Sequence, residues 1–246
     1  MRKETCDDCG TVLSGNDVAS LTAVAQAHFD SAHAEWGLSK TSVSNWLDAK
    51  KRITGSTERL QVIGKIDVYA VTAERIDDVL AFFDHDGFAD NPGWASCYCV
   101  FYNQDDLQTA GGRPWEQNRA ELEARLRTGS TVGYLAYVDG KLAGWCNASP
   151  RTAYPVRRTG QDDGVGVVAC FVIAPPYRRH GLARRLLDSA IEGFAERGIR
   201  RVEAHPVIGT ESDAPNYHGP LSLYMDAGFT EVERNERTAL VVKELH

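Results

Sequence analysis

The segment from Val167 to Leu187, VVACFVIAPPYRRHGLARRLL, constrains the fold more than any other part of the chain. Its first part, Val167–Ile173, is apolar and partly β-branched, which predicts a strand covered on both faces. Pro175 and Pro176 end that strand. Apolar residues then recur at helical spacing, at Leu182, Leu186, Ala190, Ile191 and Phe194. The chain therefore passes from a buried strand through a short turn directly into a helix.

The turn itself, from Arg178 to Ala183, is basic and contains a glycine. It presents unpaired backbone N–H groups at a helix N-terminus, where the helix dipole favours an anion. Gly181 allows a ligand to approach the backbone, and Ala183 keeps the start of the helix slim. The turn and the start of the helix also carry arginines that suit a pyrophosphate and a ribose phosphate, namely Arg178, Arg179, Arg184 and Arg185.

Other nucleotide-binding and hydrolase motifs find no support in the sequence. Gly164 and Gly166 precede the buried strand instead of following it, and the third glycine of a dinucleotide-binding turn is missing. The chain has no GxxxxGK[ST] motif for phosphoryl transfer and no GxSxG nucleophile elbow. Dinucleotide, phosphoryl-transfer and serine-hydrolase chemistry therefore lose their main sequence signals.

Two further motifs accompany the basic turn. Upstream, TVGYLAYVDGKLAGWCNASPR predicts two alternating strands joined at Asp139 and Gly140. Downstream, Arg201–Val207 reads as a strand, and Leu221–Phe229, LSLYMDAGF, as a short helix that ends in a Tyr-x-x-x-Gly-Phe pattern. Together with the RxxGxA pattern of the turn, this order resembles the GNAT family of acetyl-CoA dependent N-acetyltransferases.

The resemblance covers about Val62 to the C-terminus and implies an α/β GNAT fold with a mixed central sheet flanked by helices. It also implies acetyl-CoA as co-substrate. The family often has Asn six residues before the motif Tyr, where this chain has His218, so one usual cofactor hydrogen bond is in question. The implied cofactor-binding residues are Phe171, Val172, Ile173, Arg178, Arg179, His180, Gly181, Leu182, Ala183, Arg184 and His218.

Transfer of an acetyl group from a thioester to an amine needs a base, an oxyanion donor and an acid. Tyr224 stands at the family position of the Tyr that meets the CoA sulfur, and a neutral phenol can donate a proton. The resemblance places the oxyanion donor on a backbone N–H near Phe171–Ile173, where the family has a bulge. Glu203 and His205 alternate on the next strand and are candidate bases, although a structural salt bridge is an equal interpretation.

The N-terminal segment predicts a structural Zn²⁺ site. Cys6-x-x-Cys9-Gly10 precedes a helix that carries His28 and His33, and tetrahedral zinc prefers such N and S ligands. Five residues along an ideal helix turn His33 about 140° away from His28, so the helix must loosen or end before His33. The alternative is a reduced CxxC pair near two surface histidines. The segment also resembles small bacterial CxxCG proteins of unassigned function.

Composition supports two units, a Cys2His2-type zinc-binding module over residues 1–60 and a GNAT domain over residues 61–246. A segment of about sixty residues buries little apolar surface, which a metal ion offsets. The net charge of −7 argues against nucleic-acid binding. No apolar run suits a membrane span, and no signal peptide is evident, so we expect a cytoplasmic protein without a membrane partner. The module could also bind a partner, cap the acceptor site or support a homodimer.

The acceptor side is predicted between a helix over Ala73–Phe83 and a second over Arg113–Arg127. Cys97 and Cys99 alternate with Tyr98 there, which predicts an extended segment with buried, inert thiols. An acidic patch at Asp84, Asp86 and Asp90 suits a cationic small-molecule amine such as an aminoglycoside-like antibiotic or a polyamine. The loop arginines Arg151, Arg157 and Arg158 instead suit an anionic group. The alternatives are a non-catalytic acyl-CoA sensor or scaffold, and a protein or peptide N-acetyltransferase that uses the zinc module to bind its partner.

Overall fold

A computed structural model describes residues 1–105, 112–157, 163–209 and 216–245. It contains a two-stranded antiparallel sheet and a seven-stranded mixed sheet. The strands are β1 Arg2–Thr5, β2 Val12–Gly15, β3 Ile66–Ala70, β4 Gly133–Val138, β5 Lys141–Pro150, β6 Val165–Ile173, β7 Arg201–Ala204, β8 Thr230–Arg234 and β9 Ala239–Glu244. The large sheet has the order β3-β4-β5-β6-β7-β9-β8, and its one parallel pair is β6–β7. The predicted mixed α/β architecture is confirmed.

The described residues form six α-helices, and helices cover both faces of the large sheet. They are α1 Val18–Ala32, α2 Lys40–Arg52, α3 Ile76–Ala81, α4 Trp115–Thr128, α5 Leu182–Glu196 and α6 Leu221–Asp226. One face is covered by α5, whose buried residues include Leu186 and Phe194. The other face holds Trp145, with Val79 of α3 and Leu122 of α4 in the same core. Among the described residues, no helix is long and apolar enough to cross a membrane.

The hairpin between β4 and β5 forms where the sequence predicts it. Asp139 and Gly140 have φ angles of 49° and 83°. A two-residue turn with two positive φ angles matches the right-handed twist of the flanking strands. This hairpin sets the register that carries Trp145 and Asn147 into the centre of the sheet.

Strand β6 contains the bulge that opens the sheet. Asn147 pairs with Cys170 and Ala148 with Val168, so Ala169 is the extra residue. The structure therefore places the bulge at Ala169 and not within Phe171–Ile173, where we expected it. Beyond Val168, β6 no longer pairs with β7, which ends at Ala204. A cleft opens beside the unpaired C-terminal part of β6.

Two local predictions need correction. Tyr98 and Cys99 have φ angles of 45° and 56°, so this segment turns in the left-handed region and is not extended. The predicted helix over Ala73–Phe83 is divided into a 3-10 turn, Ala73–Arg75, then α3, and then a π turn, Phe82–Asp86. For the first of these, the alternation of Cys97, Tyr98 and Cys99 covers only three residues, which is too short to distinguish a strand from a turn held by distant contacts.

The N-terminal unit has a small core of its own, which includes Phe29 of α1 and Val43, Trp46 and Leu47 of α2. Ala49, one turn further along α2, belongs to the core of the larger unit instead. Helix α2 is therefore shared between the two units. The division into residues 1–60 and 61–246 stays a prediction.

Candidate functional site

The cleft at the C-terminal part of β6 is a cavity of about 490 Å³. Phe171, Val172 and Ile173 form one wall, and residues 216–223 contribute to the other. The lining also includes the basic turn before α5, the candidate cofactor end, and Phe88 and Trp94, the candidate acceptor end; Arg178 and Asp90 pair between them. Of the predicted cofactor residues, the cleft lining includes all except His180 and His218.

The basic turn has the backbone geometry of an anion site. Gly181 is the N-cap of α5 with φ 82°, and a Cβ at this position would meet no atom within 4 Å. No side chain caps the helix, so its first N–H groups remain available to a ligand. A pyrophosphate fits this turn because it accepts from several amides at the positive end of the helix dipole.

The side chains of the turn are largely held by protein groups. Arg178 donates through Nε to the carbonyl of Ile173 at 2.9 Å and forms a bidentate ion pair with Asp90. The imidazole of His180 hydrogen-bonds the carbonyl of Leu60 at 2.9 Å. Arg184 pairs with Asp188 one turn along α5. The guanidinium of Arg178 therefore stabilises the turn, and the backbone provides the phosphate-facing groups.

One backbone N–H of β6 points into the cleft. The N–H of Phe171 donates to the carbonyl of Tyr217 at 2.6 Å, and that of Ala174 donates to Ala143 of β5 at 3.0 Å. N–H groups alternate in direction along a strand, so the N–H of Ile173 points away from β5. Ile173 also lines the cleft. The amide of Ile173 is therefore the candidate oxyanion donor, whereas the amide of Phe171 is already bonded to the carbonyl of Tyr217.

Tyr224 contacts the cleft wall from inside the core. It is fully buried, and its hydroxyl donates to the backbone carbonyl of His218 at 2.6 Å. A Cβ on Gly219, which lines the cleft, would lie 3.3 Å from the Tyr224 ring. Burial raises the pKa of Tyr224 well above its usual value, so the phenol stays protonated.

The two predicted bases lie outside the cleft lining. Glu203 is buried between Arg151 and Arg201, with an Arg201 Nε to carboxylate distance of 2.9 Å. Such a carboxylate is committed to a buried ion pair. Burial and then the positive charge of Arg157 lower the pKa of His205 to about 4, which keeps its ring neutral at pH 7.

The side chain of His218 hydrogen-bonds the bulged residue of β6. Its Nδ1 lies 2.8 Å from the carbonyl of Ala169, which can only accept, so Nδ1 carries the proton. Nε2 then accepts from the Tyr102 hydroxyl at 3.0 Å. Burial lowers the pKa of His218 to about 4. The imidazole thus gives the carbonyl of Ala169 a hydrogen-bond partner at the point where β6 no longer pairs with β7.

The acceptor end of the cleft is aromatic. Trp94 packs edge-on against Tyr217 with ring centroids 5.1 Å apart, and Phe88 lies nearby in the same lining. Tyr217 and Phe88 were not among the predicted site residues. The sequence signal for Phe88 is the aromatic character of residues 87–102, which does not show which rings line the cleft, and no pattern in the sequence analysis indicated Tyr217.

The acidic patch at this end is neutralised by ion pairs. Asp84 contacts Arg52 and Arg119, with an Arg119 Nη2 to carboxylate distance of 3.0 Å. Asp86 pairs with Lys141 at 3.0 Å, and Asp90 pairs with Arg178. Of the loop arginines, Arg151 pairs with Glu203, Arg157 lies over the Tyr102 ring, and Arg158 lies outside the described residues.

The predicted metal ligands come together in the N-terminal unit. The ligand atoms of Cys6, Cys9, His28 and His33 all lie within 4.8 Å of one another. Sγ of Cys6 is 3.5 Å from Nε2 of His33, and Sγ of Cys9 is 3.4 Å from Nε2 of His28. Tetrahedral zinc with ordinary Zn–S and Zn–N bonds gives an S to N separation of about 3.5 Å.

The local structure explains how both histidines reach this point. Helix α1 ends at Ala32, and His33 has non-helical angles of φ −138° and ψ 40°. The predicted end of the helix before His33 is therefore confirmed. Hydrogen bonds from the side chain and backbone of Thr11 lower the pKa of the Cys9 thiol to about 6, which favours a thiolate.

Comparison with known proteins defines the class of the chain. The model of the Acetyltransferase (GNAT) family matches residues 94–218, just over half of the 246 residues. The chain therefore belongs to the GNAT family of acetyltransferases and is an acyltransferase. No curated protein matches the chain.

Several solved structures resemble the chain at low identity. Ribosomal-protein-alanine N-acetyltransferase from Brucella melitensis is 18% identical and has a TM-score of 0.47, with 73% of this chain and 99% of that chain covered. The GNAT domain of S. lividans PAT is 19% identical with a TM-score of 0.48, covering 74% and 92%. The PaiA N-acetyltransferase from Thermoplasma acidophilum, in complex with coenzyme A, is 12% identical with a TM-score of 0.46, covering 74% and 99%.

Proposed function

We propose that this GNAT protein transfers an acetyl group from acetyl-CoA to the amine of a small molecule by direct attack. The observation that carries the proposal is the continuity of the cleft. One lining includes the glycine turn before α5, Phe171–Ile173, and the aromatic groups at Trp94 and Tyr217. A phosphate site, a thioester channel and an acceptor surface are thus joined in one cavity.

Acetyl-CoA supplies an activated thioester carbonyl to this cleft. The amides at Gly181–Ala183 would hold its pyrophosphate, and the N–H of Ile173 would donate to the carbonyl oxygen as negative charge develops there. The neutral amine forms the new N–C bond, the C–S bond breaks, and the amine proton passes to solvent. The leaving sulfur takes a proton from Tyr224, whose hydroxyl must turn from the carbonyl of His218 to the sulfur, and the phenolate then regains a proton from solvent.

The acceptor end favours an amine on an apolar or aromatic body. Phe88, Trp94 and Tyr217 offer ring faces and edges, which bind planar apolar groups. Asp90 is the acidic residue in this lining, and its carboxylate is already paired with Arg178. We therefore favour an arylalkylamine acceptor over the polyamine or aminoglycoside-like acceptor that the acidic sequence pattern suggested.

A matched amine panel tests both parts of this proposal. Release of free CoA thiol is measured with phenethylamine, tryptamine, spermidine and an aminoglycoside, each at the same acetyl-CoA concentration. We expect thiol release with the aromatic amines at a kcat/KM at least tenfold above that of spermidine. Higher activity with the polycations would refute the acceptor class, and no thiol release with any amine would refute the transfer reaction to small amines.

We also propose that Cys6, Cys9, His28 and His33 bind one structural Zn²⁺. The support is the fit between the two measured S to N distances and tetrahedral coordination. The core of this unit is small, so a metal ion contributes to its folding directly. All four ligands are protein side chains, which is typical of a structural site and leaves no open position for catalysis.

A further inference from the structure

The loop Cys6–Cys9, which we call the knuckle, contains a residue whose side chain contacts helix α2. Asp7 lies between Cys6 and Cys9, and its carboxylate accepts a hydrogen bond from Nε1 of Trp46 at 3.1 Å. The same carboxylate pairs with Lys50 of α2. Lys50 also lies over the Trp46 ring, 5.3 Å from its centroid. The orientation of the knuckle is thus linked to a buried indole on α2.

Helix α2 in turn supports the acceptor side of the cleft. A Cβ on Gly93 would lie 3.8 Å from Cδ1 of Trp46, so the indole packs directly behind the short helix Pro92–Trp94. Asn45 accepts from the N–H of Trp115 at 3.1 Å, which anchors α2 to the start of α4. Arg52 donates to the Tyr98 hydroxyl at 2.9 Å.

Trp94 completes the path from the metal ligands to the cleft. It follows Gly93 directly and forms the aromatic pair with Tyr217 at the acceptor end. From these contacts we propose that Asp7 and Trp46 are positioning residues for the acceptor wall, and that metal binding at the knuckle sets the place of Trp94. This inference rests on the proposed acetyl transfer and on the proposed metal site.

These contacts explain why loss of the Asp7–Trp46 bond should change binding of the acceptor and not of acetyl-CoA. Two thiolates on one ion hold the short Cys6–Cys9 loop in one conformation, which orients the Asp7 carboxylate toward Trp46. Asp7 bonds to Trp46 and Lys50. In the turn around Gly181, Arg178 bonds to Ile173 and Asp90, and His180 bonds to Leu60. Loss of the Asp7–Trp46 bond is therefore expected to raise the acceptor KM about fivefold, a coupling of ordinary size, and to leave acetyl-CoA affinity unchanged.

The test compares Asp7→Ala with Asp8→Ala in the full-length, zinc-loaded protein. Asp8 lies in the same knuckle and makes no hydrogen bond or ion pair with the described residues, so its removal controls for the charge. Asp7→Asn keeps an oxygen acceptor for Trp46 and serves as the conservative rescue. The readouts are zinc content, calorimetric CoA affinity, amide hydrogen exchange over residues 92–98, and KM for the best amine of the panel.

We expect Asp7→Ala to keep zinc and CoA affinity, to accelerate exchange at residues 92–98 severalfold, and to raise the amine KM about fivefold. Asp8→Ala and Asp7→Asn should behave like the wild type. Removal of zinc by a chelator should reproduce the faster exchange. Unchanged exchange at residues 92–98 in Asp7→Ala, or in the chelated protein, would overturn the inference. A failed amine panel would refute only the proposed reaction, because hydrogen exchange reads the coupling without turnover.

Discussion

The two ends of the cleft are built in different ways. At the proposed cofactor end, the candidate binding groups are backbone amides of one continuous segment, and Gly181 needs no distant contact to take its φ of 82°. At the acceptor end, Trp94 and Tyr217 are far apart in sequence and meet only through tertiary packing. The N-terminal unit also contributes to this end through Trp46, which packs against Gly93. Substitutions should therefore have local, severe effects at the first end and graded, coupled effects at the second.

The largest expected effect is at Gly181. Gly181→Glu introduces a side chain and a negative charge at the proposed pyrophosphate position, and it strains a left-handed backbone. We expect CoA affinity to fall by more than about 10²-fold in calorimetry. Gly198→Glu is the matched control, because Gly198 has φ 72° but lies after α5, outside the cleft lining. Tight CoA binding to the Gly181 variant would falsify the cofactor assignment.

Tyr224→Phe is the next largest and tests the chemistry between the two ends. Removal of the phenol proton should lower kcat about 10²-fold while CoA affinity changes little. The thiol of CoA titrates near 8.5 by analogy with Cys, so the defect should shrink as the pH rises through that value and the thiolate leaves unprotonated. Steady-state assays of thiol release from pH 6.5 to 9.5 measure both the fall in kcat and its dependence on pH.

The control for this variant is Tyr134→Phe. Tyr134 is also buried, but it lies against Gly193 of α5 and not beside the cleft. If Tyr224→Phe keeps the wild-type kcat over the whole pH range, then Tyr224 is a packing residue. Its hydroxyl would then serve only the carbonyl of His218, and the leaving thiolate would take its proton from elsewhere.

A smaller effect is expected from Trp94→Ala. The variant removes one ring of the acceptor pair and should raise KM for an aromatic amine about tenfold, since aromatic contacts of this kind contribute about 1 kcal/mol beyond area burial. CoA affinity should be unchanged. Phe101→Ala, at an aromatic residue outside the cleft lining, is a suitable control. An equal loss of CoA affinity would show that the two ends are not separable.

The smallest effect on catalysis is expected from the metal ligands. The native protein should contain about one zinc per chain, and Cys6→Ser or His28→Ala should release it and loosen residues 1–38. The GNAT domain should stay folded, with activity lowered only severalfold through the acceptor side. Cys97→Ser should retain zinc because Cys97 lies outside the cluster. Elemental analysis that finds no zinc in unchelated native protein would reject the site.

Prediction from the sequence succeeded where structure depends on neighbours along the chain. The strand at Val167–Ile173, the turn at Asp139 and Gly140, and the end of α1 before His33 follow from local pattern and turn chemistry. Strands β8 and β9 were not predicted. Their sequences are partly polar, and β9 finds its place by pairing with β7 on one side and β8 on the other.

Side-chain partners were the part that the sequence could not supply. The acidic pattern at Asp84, Asp86 and Asp90 suggested a free anionic surface, but each carboxylate meets a cation from a distant element. Likewise, Glu203 and His205 alternate along the chain as expected of candidate bases, but the carboxylate of Glu203 forms an ion pair with Arg151. Charge along the chain predicts a surface only when the folded neighbours do not neutralise it.

The sequence by itself determined the family, the strand-turn-helix that we propose binds an anion, and the four clustered Cys and His residues with their helix. These features depend on spacing within a few turns or on motifs in a fixed order, so they are legible along the chain. Only the tertiary structure decided that the bulge lies at Ala169, that Tyr217 and Trp94 meet in the cleft lining, and that Asp7 contacts Trp46. The physical reason is that the position of each of these groups is set by a partner distant in sequence, and chain order carries no information about which distant groups will meet.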